Sequence, residues 1–72
     1  MMHRVNAQFK DGGLTTEVID AVLPRLGEII VLVRRERSVA MRVVAIWTPS
    51  SKVLGDGLIV VETREVSRTG GI

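Results

Sequence analysis

Residues 28–66 hold three strand-like runs, and they limit the folds open to this chain more than any other feature. The runs are Glu-Ile-Ile-Val-Leu-Val at 28–33, Val-Ala-Met-Arg-Val-Val-Ala-Ile-Trp at 39–47 and Leu-Ile-Val-Val-Glu-Thr-Arg-Glu-Val at 58–66. β-Branched residues of this density fit a pleated, half-buried surface far better than a helix. The runs are separated by a charged tip at 34–38 and by a loop at 48–57 rich in Pro, Ser, Gly and Asp. The reading is a series of antiparallel hairpins. At 28–33 both faces are apolar, which predicts burial on both sides.

The chain has only 72 residues, near the size below which a single core struggles to hold a domain folded. Such folds usually add disulfides, a metal or a partner subunit. With no Cys and one His, a disulfide, a thiolate zinc site and a His-rich metal site are all excluded. Oligomerisation is the remaining device, and a hydrophobic content of 46% with only one Phe and one Trp points the same way. A homodimer is the expected form, since two-fold contacts dominate among homo-oligomers. No apolar run approaches the ~20 residues of a membrane helix, and the opening Met-Met-His-Arg-Val lacks a signal-peptide core. The protein is therefore expected to be cytoplasmic, with no membrane partner.

The N-terminal third reads less uniformly. Val5, Ala7 and Phe9 alternate with Arg4, Asn6, Gln8 and Lys10, the period of a strand wet on one face. Asp11-Gly12-Gly13 then predicts a tight turn. Over residues 14–26, Val18, Ile19, Val22 and Leu23 form a helical stripe. Thr15 or Thr16 could cap it and Pro24 would stop it. A short helix of about two turns is the preferred reading; a strand over 14–19 competes. In the 39–47 run, Val39, Met41, Val43, Ala45 and Trp47 fall on one face. Residues 1–66 form one domain in this reading, and 67–72, with Gly70-Gly71, a loose tail.

The fold expected is mainly β with one short helix: a small half-open barrel or roll of four to five antiparallel strands, because a flat sheet in so short a chain would leave aggregation-prone edges. The three-run series, entered through Leu-Pro-Arg-Leu-Gly-Glu-Ile-Ile, resembles the central meander of SH3-like barrels, including the small barrel proteins carried by phages and mobile gene cassettes. The run Arg42-Val-Val-Ala-Ile-Trp47 is also faintly similar to the core strand of type II dihydrofolate reductases, tetrameric SH3-like barrels with a central active pore. That family's pore-lining Val-Gln-Ile-Tyr run is absent and the chain contains no Tyr, so the resemblance implies a fold and not that activity.

No catalytic set stands out and no cofactor is implied. His3 reads as a solvated terminal residue. Asp11 and Asp56 sit beside Gly in turns, and Glu62 and Glu65 point to opposite faces of a strand. The principal expectation is therefore a non-enzymatic, self-associating binding or adaptor module. Two surfaces stand out. Arg34, Arg35 and Arg37 at the charged tip, with Lys52, could lie along a phosphate backbone; a solvated tip is the plainer reading. Around Trp47, the residues Met41, Arg42, Val53 and Leu54 could line a ligand site or a subunit junction. Trp47 reads either as a lid on the core or as an interface anchor, and Met41 as plain packing. Arg42 is a charge within an apolar strand: either that face is partly wet there, or Arg42 pairs with a carboxylate of Glu62, Glu65 or Glu28, or it binds an anionic ligand.

Overall fold

The computed structural model describes residues 1–48 and 57–66. Five strands form one curled sheet: β1 (Met2–Gln8), β2 (Leu14–Asp20), β3 (Ile29–Arg34), β4 (Arg37–Trp47) and β5 (Ile59–Glu65). Their order across the sheet is β2-β1-β5-β4-β3. The chain is all-β and folds as a small half-barrel, the half-open architecture expected.

Local chemistry accounts for the first hairpin. Phe9 accepts a bond from the Gly12 N–H at 3.0 Å and donates its own N–H to Gly13 at 2.9 Å. Gly12 holds φ at 90°, so the loop is a tight turn followed by a glycine bulge. That turn returns the chain along β1, pairing Gln8 with Leu14 and Met2 with Asp20. The helix preferred over 14–26 is therefore corrected to strand β2 with an irregular connector. Thr15, Thr16, Val18 and Ile19 suit a strand, and the turn presents them to a ready-made edge. Of the supposed helical stripe, Ile19 and Leu23 do pack against the core, but Val22 lies exposed in the connector.

The meander β3-β4-β5 pairs antiparallel throughout. One pairing departs from the all-antiparallel expectation: β1 runs parallel to β5, with Val5 beside Val61. The connector from β2 to β3 makes this possible, since it carries the chain across the open side of the sheet. It enters β3 through a turn in which the Glu28 N–H bonds the Arg25 carbonyl at 3.0 Å and the Glu28 carboxylate accepts the Arg25 N–H at 2.8 Å.

The concave face carries the core. Val5, Val43 and Val61 form one cluster; Ala7, Phe9 and Met41 form a second, with Ile30 and Leu32 packed against both. The buried Thr63 hydroxyl donates to the Asn6 carbonyl at 2.9 Å, which removes the penalty of burying it. Within β4 the register shifts between Val43 and Ala45, a β-bulge that changes which residues face inward. Before it Val39, Met41 and Val43 point to the core; after it Ile46 does. The single face expected for Val39 through Trp47 is thus broken, and Ala45 and Trp47 turn to the convex side.

β3 gives a further correction. Its concave residues Ile30 and Leu32 are half-buried, but Ile29, Val31 and Val33 are 44%, 64% and 76% exposed. The strand is an edge, and among the described residues nothing covers its outer face. The tail expected at 67–72 lies outside the described residues.

Candidate binding surfaces

At one end of the half-barrel the β1–β2 turn meets the β3–β4 turn. Arg34 joins them. Its Nη1 donates to Asp11 Oδ2 at 2.9 Å, and its guanidinium lies 4.0 Å from the centroid of the Phe9 ring, a cation–π contact. Asp11 Oδ1 accepts the Gly13 N–H at 2.8 Å. This backbone bond and the Arg34 guanidinium hold the Asp11 carboxyl below its usual pKa. A Cβ at residue 13 would run into Arg34, so the glycine leaves room for the clamp. The sequence grouped Arg34 with the free cations of the tip. In the structure it is the one already engaged.

Arg35 and Glu36 form the two-residue hairpin loop, with φ of 52° and 65°. Two positive φ values mark a type I′ turn, where Asn-Gly is the favoured pair. Arg37 opens β4 and is exposed. Arg35 and Arg37 make no ion pair among the described residues, and neither does the ammonium of Lys10. An open groove of about 520 Å³ runs between the two turns, bordered by Lys10, Arg35 and Arg37 together with Asp11 and Glu65. Lys52 lies outside the described residues.

The convex face holds the second expected group. Arg42 sits opposite Arg64 on β5 and Ile29 on β3. The expected pairing with a carboxylate is corrected, because each candidate is used elsewhere. Glu62 Oε2 accepts from Asn6 Nδ2 at 3.0 Å, Glu65 Oε1 accepts the Lys10 N–H at 2.9 Å, and Glu28 closes its own turn. Asn6 in turn accepts from the Thr16 hydroxyl at 2.8 Å, so a polar chain crosses three strands. Two guanidinium groups facing each other across a ladder repel. Trp47 is 60% exposed beside Val60. It is not a lid on the core, because the bulge has rotated it outward. It borders a shallow cleft of about 490 Å³ with Val44, Gln8 and Arg64. Met41 is fully buried and packs in the core. Val53 and Leu54 lie outside the described residues.

His3 is the largest surprise among the polar residues. It is fully buried, not solvated, because β1 is flanked by β2 and β5 and its second residue faces inward. Nδ1 lies 3.1 Å from the Met1 carbonyl. A carbonyl only accepts, so Nδ1 donates in that contact, and Nε2 has no partner among the described residues. Among the described residues no cluster of three His, Cys, Asp or Glu could hold a metal, and no helix is long and apolar enough to cross a membrane.

Sequence reasoning missed Phe9, Lys10 and Asp11 as partners of the charged tip, and Arg64 as the neighbour of Arg42. Arg34 and Asp11 are 23 positions apart, and no local spacing signals such a contact. In comparison with known proteins, the chain matches no family model, no curated protein and no solved structure.

Proposed function

We propose that this domain is a non-enzymatic binding module that works as a dimer joined edge to edge through β3. The observation that carries the reading is the outer stripe of that strand, Ile29, Val31 and Val33, apolar and largely exposed on an edge strand. Solvated edges normally carry Lys, Pro or a bulge to prevent pairing, and β3 has none of these before Arg34.

Backbone geometry and symmetry favour a second copy as the occupant. In a two-residue hairpin the closing pair Arg34–Arg37 is hydrogen-bonded, so Ile30 and Leu32 also direct their amides to β4. The N–H and C=O groups of Ile29, Val31 and Val33 therefore face the open edge. A two-fold antiparallel pairing centred on Val31 places Ile29 opposite the second copy's Val33, apolar on apolar in every row. The same register sets Glu28 across from Arg34 of the second copy, each held within its own protomer by its own partners, so no like charges meet at either end of the ladder. The surface is complementary to itself, as a two-fold interface requires.

Sedimentation equilibrium tests this. The expected result is a dimer at micromolar concentration that becomes a monomer with unchanged far-UV circular dichroism in Val31→Lys. A monomer at high micromolar concentration would overturn the reading, as would a dimer that the substitution leaves intact.

A further inference from the structure

The β3–β4 tip carries a feature that edge pairing does not use. Arg35 and Glu36 both adopt φ values in the left-handed region, where a Cβ crowds the following carbonyl and the backbone is strained. Asn-Gly would fit the same turn with little strain. A strained turn that keeps long charged side chains points to a use for those side chains. The base of the tip is also fastened: Arg34 ties it to the β1–β2 turn through Asp11 and Phe9. Across that junction lies Lys10, and Arg64 with Lys10 borders the adjoining groove of about 370 Å³. Asp11 is neutralised by Arg34, leaving Glu36 and Glu65 against the cations Lys10, Arg35, Arg37 and Arg64.

We infer that this end of the half-barrel binds the phosphate backbone of a nucleic-acid duplex, with Lys10, Arg35 and Arg37 as the contacting cations and Arg34 as a positioning residue. Pre-organised cations lose little entropy on binding, and a charged β-ribbon tip can enter a groove of a duplex. Single strands are disfavoured because they need aromatic platforms: Phe9 is buried beneath Arg34, and Trp47 closes the far end of β4. A membrane surface is disfavoured because residues 34–38, Arg-Arg-Glu-Arg-Ser, offer nothing apolar to insert. The inference stands without the dimer. If protomers do pair through β3, their two tips lie roughly nine ladder residues apart, about 30 Å at the antiparallel rise, close to the ~34 Å helical turn of B-form DNA.

Fluorescence polarisation with a labelled random-sequence DNA duplex two helical turns long tests the proposal. Three phosphate contacts predict that log K falls against log salt with a slope of about −3 per protomer. Arg35→Ala combined with Arg37→Ala should weaken binding at least ~10-fold at low salt and reduce the slope to about −1. Circular dichroism and sedimentation of that variant should match the parent. Val31→Lys should keep the per-protomer slope even as a monomer, which separates failure of this proposal from failure of the dimer. Binding that is absent, independent of salt or unchanged in the double variant would overturn it. So would tighter binding to a single strand, or retention only on vesicles of anionic phospholipid.

Discussion

β1 and β3 are both short strands, and opposite in fate. β1 alternates cleanly: His3, Val5 and Ala7 face the core while Arg4, Asn6 and Gln8 face out, and both of its edges are paired. β3 is apolar from Ile29 to Val33 on both faces, with one edge paired and the other open. In β1 the polarity of each position agrees with the environment the single chain provides. In β3 it does not, and the disagreement falls on one contiguous stripe. A mismatch of this kind locates missing contacts better than an inventory of exposed residues does. Among the described residues large apolar side chains are also exposed singly, as at Val22 and Leu26, and isolated cases are ordinary for any protein surface.

The sharpest test of the contrast sets a core position beside the β3 stripe. Met41→Ala should destabilise the fold by about 2–5 kcal/mol, enough to unfold much of a domain this small. Val31→Lys should shift the thermal unfolding of a dilute, monomeric sample by no more than about 0.5 kcal/mol. Comparable losses in both would mean that the outer face of β3 is packed within the chain.

A smaller effect is expected at the tip. Arg35→Asn with Glu36→Gly should raise stability by about 1–2 kcal/mol in urea unfolding, since both residues then suit positive φ. The same substitution should lower duplex affinity. A turn that lost stability would show that the side chains serve the fold.

The smallest effect concerns the clamp. The folded-state pKa of Asp11 lies below its ordinary value of 3.8, so the clamp contributes stability that is fully present above that value. The contribution is lost as pH falls through the depressed folded pKa. Carboxyl titration by NMR should therefore place Asp11 below 3.8, and Arg34→Ala should return it part of the way. The remainder of the shift belongs to the Gly13 N–H, the larger cause, and to the nearby Arg35 charge. A full return would assign the whole effect to Arg34.

Much of the scaffold was legible in residue order. The runs at 28–33, 39–47 and 58–66 became β3, β4 and β5 with ends moved by a few residues, and Asp11-Gly12-Gly13 closed the first hairpin as its chemistry required. The inward set Val5, Ala7 and Phe9 was correct because alternation along a strand is a property of adjacent residues. The Arg34–Arg37 tip was visible as a charge cluster. Its division into one clamped arginine and two outward ones was not, because the division depends on Asp11 and Phe9.

The amino-acid sequence by itself determined that this chain is a β-protein with two tight hairpins and a surplus of apolar side chains. Strand propensity, turn chemistry and period-two patterning act over a few neighbouring residues. Tertiary structure alone decided the parallel β1–β5 pairing, the bulge that turns Trp47 outward, the burial of His3, the Arg42–Arg64 apposition and the exposure of the β3 stripe. Each of these depends on which strand lies beside which. Contacts such as Asn6 with Glu62, 56 positions apart, are set by the closure of the whole sheet, and no short-range pattern encodes them.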